Sequence, residues 1–280
     1  MGSTTRIEWC DATFNPITGC TPCSPGCDRC YARMMLRRHL PEMKHPGDPG
    51  TVTFHADRLD IPLHWRKPRR IFVNSMSDTF HGDNAVEWVD AMHAAMVLAD
   101  QHTYMLLTKR PGNAQVYYSD YALKQRIGDC LGTRFKAESF AKWPVAGQSL
   151  YSAISDPGFT LPLPNVWLGV TVCTKAELAK LDILRQTPAA LRFVSFEPML
   201  EDLGTVDLTG IGWVIVGGET APGARIMGYL WPRDLLNQCQ VSGVPFFYKG
   251  AGTGTLPKSH QNYHLLDGRE WHQFPEAPHA

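Results

Sequence analysis

The sequence predicts an α/β fold, a partial TIM-like (β/α)6 barrel with a parallel sheet. Six short apolar runs recur along the chain, rich in β-branched and aromatic residues and continuous rather than alternating. Such runs suit strands covered on both faces. Helix-like segments separate them, as parallel crossovers require. The strand–helix unit recurs about six times rather than eight, which favours an incomplete barrel over a closed one.

In chain order the strands are "RIFVNS" (70–75), "TYMLLT" (103–108), "VWLGVTV" (166–172), "LRFVSF" (191–196), "GWVIVGG" (212–218) and "VPFFYK" (244–249). The helical segments are 28–40, 84–100, 174–187 and 232–242. "TKAE" is a capping-box pattern and starts the third at Thr174, and Pro232 suits the first turn of the fourth. The stretch 129–165, with "WPVAGQ", "SDPG" and "LPLPN", breaks the rhythm and reads as an irregular insertion or lid. Residues 1–250 thus form the barrel domain, and 251–280 a C-terminal extension packed on it.

Lys plus Arg and Asp plus Glu number 27 each among 280 residues. That balance argues against a non-specific polyanion binder and leaves a local basic groove open. No apolar run reaches the ~18 residues of a membrane span, and "MGSTTRIEWCD" has no signal-peptide apolar core. A cytoplasmic location follows as the expectation, with thiols kept reduced, so clustered cysteines suggest metal or catalysis rather than disulfides. Cys10, Cys130, Cys173 and Cys239 are scattered and read as small buried hydrophobes.

Chemistry in a parallel α/β sheet gathers at the carboxyl ends of the strands. There the sequence places Ser75, Ser77 and Asp78, then Thr108, Lys109 and Arg110, then Thr171. Glu197 follows the fourth run, Gly217, Gly218 and Glu219 the fifth with Arg225 just beyond, and Lys249 the sixth. Two glycines in "VGGET" permit close backbone approach to a ligand. "RKPRR" (66–70) precedes a strand and reads as a solvated face on the opposite rim.

In "NPITGCTPCSPGCDRCYARMM", Cys20, Cys23, Cys27 and Cys30 fall within one loop. Four thiolates can cage zinc, though zinc cages usually draw on two separated knuckles. Thiolates also hold a [4Fe–4S] cluster, and three of them leave one iron open. Either Cys23, Cys27 and Cys30 or Cys20, Cys27 and Cys30 can supply that set.

The chain resembles the phage Gp37/Gp68 family, a radical-SAM-like group. The resemblance runs through "FNPITGCTPCSPGCDRCYA", "IFVNSMSDTFH", "LLTKRP", "WLGVTV", "LRFVSFEPMLEDL", "WVIVGGETAPGARIM", "QCQVSGVPFFYKGAG" and "LLDGREWHQFP". It implies ligation by Cys20, Cys27 and Cys30, with Cys23 as a rival to Cys20 or a fourth ligand. It also implies S-adenosylmethionine on the open iron of a [4Fe–4S] cluster and a 5′-deoxyadenosyl radical acting on a substrate. The partners it implies are an external one-electron reductant of flavodoxin or ferredoxin type and a nucleobase, nucleotide or nucleic-acid substrate. Ser75, Ser77, Asp78, Thr108, Thr171, Gly217, Gly218, Glu219 and Arg225 are then candidates for cofactor binding, and Lys109 and Glu197 for catalysis. Methyl or aminocarboxypropyl transfer from the same cluster, and a non-enzymatic zinc knuckle, are the rival expectations.

Overall fold

Seven strands make one sheet in which every neighbouring pair runs parallel. The computed structural model describes residues 5–39, 48–135, 159–254 and 264–276. The strands are β1 (Ala12–Phe14), β4 (Arg70–Val73), β5 (Thr103–Thr108), β6 (Val166–Thr171), β7 (Leu191–Phe196), β8 (Trp213–Gly217) and β9 (Phe246–Gly250). Their order in the sheet is their order in the chain. A separate antiparallel pair joins β2 (Ile17–Thr18) to β3 (Thr53–Phe54). The α/β class and the parallel sheet are as the sequence predicts, but with seven strands rather than six. The added one, β1, has only three residues, too few to register as an apolar run.

Side-chain alternation sorts the sheet into two faces. Ile71, Val73, Tyr104, Leu106, Leu168, Val170, Val194, Phe196, Val214 and Val216 join the large core that also contains the buried faces of the helices after residue 85. The opposite face carries Phe72, Met105, Trp167, Phe193, Trp213, Ile215 and Phe247, together with Trp9 and Cys10 from the segment before β1. No helical residue enters this second cluster. The helices after residue 85 therefore lie outside, the helix from Tyr31 packs on Met76 in a small cluster of its own, and the inner face is filled by the sheet's own aromatics.

Those aromatics show that the sheet is curled. The Trp9 ring lies 4.6 Å from Phe72 on β4 and 6.1 Å from Trp213 on β8. These strands stand four places apart in the sheet, which in a flat sheet is roughly 19 Å. One indole touches both rings only if the sheet wraps around it, as a half-barrel does. Above this aromatic tier the inner face of each strand continues at every second residue. In register, Gly169 stands beside Leu107 and Phe193, and Ser195 beside Thr171 and Ile215; Lys109, Glu197, Gly217 and Lys249 follow at the strand ends.

Helices span Tyr31–His39, Val86–Leu98, Pro111–Tyr118, Leu123–Arg134, Ala179–Gln186 and Leu230–Ser242. Pro111–Tyr118 and Leu123–Arg134 are absent from the sequence reading. The second buries Leu123, Ile127 and Leu131 at four-residue spacing, so residues 129–134 complete a helix rather than begin an insertion. Most of the predicted insertion, 136–158, lies outside the described residues, as do Leu40 and, within the predicted C-terminal extension, 255–263 and 277–280. The "TKAE" stretch does not form the expected capping box. Thr174 makes no side-chain cap, Lys175–Glu177 is a 3-10 turn, and the α-helix begins at Ala179. Glu177 instead accepts the backbone N–H of Cys173 at 2.8 Å and pairs with Lys180. No helix among the described residues is long and apolar enough to cross a membrane.

A test of the tiered interior follows from Gly169, where an added Cβ would stand 2.5 Å from the Phe193 ring. Gly169→Ala is expected to cost about 1–3 kcal/mol by overpacking, read as a lower urea midpoint. An unchanged midpoint would contradict the packing described.

Candidate functional site

The cysteine loop leaves the carboxyl end of β1 and crosses the rim of the sheet. Its start is tied to the segment after β4. The Gly19 N–H donates to the Met76 carbonyl at 3.1 Å, and the Ser77 hydroxyl donates to the Gly19 carbonyl at 2.6 Å. Gly19 has a φ of 89°, a region that favours glycine. Further along, Ser24 caps a 3-10 turn, Pro25–Cys27. Gly26 sits so tightly on the ends of β6 and β7 that a Cβ would meet the Cys173 sulfur at 2.4 Å and Pro198 at 3.2 Å. The helix from Tyr31 then docks through its phenol, which donates to the Ser75 carbonyl at 2.8 Å.

Two arginines hold the loop. Arg110, just after β5, donates to the Thr21 carbonyl at 2.7 Å and lies 3.6 Å from the Cys20 sulfur. Arg225, beyond β8, donates to the Pro25 carbonyl at 2.9 Å and pairs with Asp28 at 3.3 Å. A buried carboxylate aims each guanidinium. Asp78 receives Arg110 at 3.1 Å, the Thr108 hydroxyl at 2.6 Å, and the backbone N–H groups of Phe80 and Lys109 at 3.0 and 3.1 Å. Glu219 receives the backbone N–H and the Nε of Arg225 at 2.8 and 3.0 Å, with Arg29 at 3.9 Å. Burial alone would raise the Glu219 carboxyl, but the hydrogen bonds and charge of Arg225 outweigh it and hold the group below the usual range.

Under the loop lies a cavity of about 190 Å³, an order of magnitude more than the ~10–15 Å³ that one water needs. Cys20, Cys27 and Cys30 share its wall, whereas Cys23 is exposed and does not line it. Ser75, Ser77, Asp78, Lys109, Thr171 and Glu197 also reach the wall, as do Gly218 and Glu219. Thr108, Gly217 and Arg225 stand behind it. Thr108 braces Asp78, Arg225 braces Glu219, and Gly217 lets Lys249 and Glu197 pack close by. Lys249 pairs with Glu197 at the rim. Arg29, Tyr31, Trp9, Phe72 and Ser195, none of them a site candidate from sequence, also line the cavity. Ser195 could have been found from Glu197, two residues on and so on the same strand face.

The thiols are not alike. A hydrogen bond from the Cys23 thiol brings Cys27 down to about 5, against the effect of burial, while burial pushes Cys20 up. Burial likewise pushes Cys10 and Cys239 up to about 12 and Cys173 up to about 11. Lys109 stands beside the loop. Burial would lower its ammonium, but the sulfurs of Cys173, Cys27 and Cys30 and the Asp78 carboxylate raise it. Among the described residues no three His, Cys, Asp or Glu side chains converge as they stand on a metal-sized centre. The donor set itself suits a soft metal group, since three thiols face one cavity with cations close at hand.

A family described as "Protein of unknown function (DUF5131)" matches residues 4–275, nearly the whole chain. Comparison with curated proteins and with solved structures found no match.

The Glu219–Arg225 pair has a pH signature. With its folded-state value depressed, Glu219 contributes stability that is present above the usual carboxylate range, about 4.3. That stability is lost as pH falls through the depressed value. Glu219→Gln is therefore expected to cost about 1.5–3 kcal/mol at pH 7 and progressively less toward pH 3, measured by denaturant unfolding. A cost that stays constant with pH would contradict the pairing.

Proposed function

This chain belongs to the DUF5131 family, and from that premise and the three-thiol wall we propose that it is a radical S-adenosylmethionine-type [4Fe–4S] enzyme. The observation that carries the reading is the division of the loop cysteines. Cys20, Cys27 and Cys30 line one cavity, and Cys23 does not. Those three would hold the cluster. When bound, such a cluster supplies the electron that splits S-adenosylmethionine into methionine and a 5′-deoxyadenosyl radical, which takes hydrogen from a substrate.

The chain's own residues fit the remaining tasks. Lys109, Arg110 and Arg29 surround the thiols with positive charge, which favours an anionic group there. The Glu197–Lys249 pair stands across the cavity and can hold a proton at a carboxylate oxygen or at Nζ. The loop and the curled sheet flank the cavity on two sides, a placement suited to keeping water from a reactive intermediate. In this reading the curled sheet is a partial TIM-like (β/α)6 barrel with one short strand added at its edge. The substrate is a nucleobase or nucleotide, the electron comes from a flavodoxin- or ferredoxin-type donor, and the compartment is the cytoplasm. A four-thiol zinc clasp draws less support, because Cys23 is exposed and does not line the cavity, although its thiol reaches Cys27.

Anaerobic reconstitution is expected to give about four irons per chain, as the proposed cluster requires. The EPR signal of the reduced protein should change when S-adenosylmethionine is added. Cys27→Ala and Cys30→Ala should each abolish cluster binding, Cys20→Ala should do nearly the same, and Cys23→Ala should retain most of the iron. One zinc and no reduced-state signal would overturn the proposal. Appearance of methylthioadenosine or S-adenosylhomocysteine in place of 5′-deoxyadenosine would assign group transfer instead.

A further inference from the structure

The inner wall of the cavity contains a polar atom that the protein leaves unpaired. Ser195 is 1% exposed and lines the cavity. Its hydroxyl has no hydrogen-bond partner among the described residues, and neither has the indole N–H of Trp9, another lining residue. Buried polar groups are paired in the great majority of cases, so an orphan on a cavity wall marks the place of a ligand atom or a water.

The surroundings of Ser195 restrict what that ligand is. Glu197 lies two residues further along the same strand face and pairs with Lys249. A hydroxyl, a carboxylate and an ammonium thus form one polar side, able both to donate and to accept. The cavity floor is apolar and largely aromatic, with Trp9 and Phe72 rings 4.6 Å apart and Leu107 beside them. Aromatic walls favour a flat ring, and a mixed donor and acceptor edge favours a ring with heteroatoms in its plane. An aliphatic acid would leave the aromatic floor unmatched.

We infer that this part of the cavity binds a neutral nitrogen heterocycle of the nucleobase class. Ser195 and the Glu197–Lys249 pair hydrogen-bond its edge, and Trp9 and Phe72 cover its face. The inference deepens the proposed function by naming the substrate subsite. It rests on this cavity being where the substrate sits, and it does not depend on which metal group the thiols hold.

The test titrates the full-length, anaerobically reconstituted protein with thymidine, cytidine, adenosine and guanosine by calorimetry. Titrations run with and without saturating S-adenosylmethionine, so that the cofactor's own adenine is accounted for. At least one nucleoside should bind in its presence. Ser195→Ala should weaken that binding about 2- to 10-fold, the range of one neutral hydrogen bond, without moving the thermal midpoint by more than a degree or so. Glu197→Gln, which keeps the shape and loses the charge, should weaken it as well. No nucleoside binding, or unchanged affinity in Ser195→Ala, overturns the inference and leaves Ser195 to a water. Iron content of the same samples separates the two readings. Four irons with no nucleoside bound removes the subsite alone, and a bound nucleoside on iron-free protein removes the cluster alone.

Discussion

Two guanidinium groups hold the cysteine loop over the sheet, and the geometry of the site depends on them. The loop buries little of its own length; Gly26 is its one buried residue between Thr21 and Cys30. It is positioned because Arg110 takes the carbonyl of Thr21 and Arg225 the carbonyl of Pro25. These arginines follow β5 and β8, so the loop is tied to strands three places apart in the sheet. Each arginine is fixed by a carboxylate whose oxygens are committed to protein donors. Charge-assisted hydrogen bonds of this kind are stronger than neutral ones, and the planar fork of arginine sets direction as well as distance. A lysine at either position would supply charge without that fork.

This arrangement explains why the rim was legible in the sequence while several roles on it were not. A polar residue at the end of a parallel strand is expected to face the cavity, and thirteen of the seventeen residues singled out on the rim and loop do line it. Residue type does not say whether a carboxylate waits for a ligand or already holds an arginine. Asp78 and Glu219 are of the second kind. Their partners lie at Arg110 and Arg225, and no local pattern announces which acid takes which base. The fold shows the same division. Long apolar runs identified six strands, while β1, three residues long, acquires its pairing only from Ile71, Phe72 and Val73 of β4. The helix Pro111–Tyr118 begins with Pro-Gly-Asn, a turn-like opening that hides it.

The inner face also accounts for its small residues, since large rings on neighbouring strands in register need room. Gly169 makes room for the Phe193 ring, which would otherwise strike any side chain at that position. Ser195 leaves space of the same kind and adds a hydroxyl. Trp9, Phe72 and Leu107 form the floor of the cavity, and the small Ser195 leaves its wall open there.

An open curled sheet leaves a seam between its first and last strands, and the lower part of that seam is closed by side chains and a strap. Residues 271–274 run along β9, where Tyr248 donates to the Trp271 carbonyl at 2.7 Å and Gln273 to the Phe246 carbonyl at 3.1 Å. The strap brings Phe274 to within 5.4 Å of the Trp213 ring and under the Arg70 guanidinium, 3.8 Å from its centroid. Arg70 in turn pairs with Asp11, just before β1. "RKPRR" thus ends in a residue that seals the lower rim rather than one that only meets solvent. With the bottom closed by Trp9, Phe274 and Arg70, the cavity lies between this sealed floor and the cysteine loop. Cys20, Cys27, Cys30 and Ser195 line this one cavity, so the arginine pairs that fix the loop also fix where the thiols stand relative to Ser195.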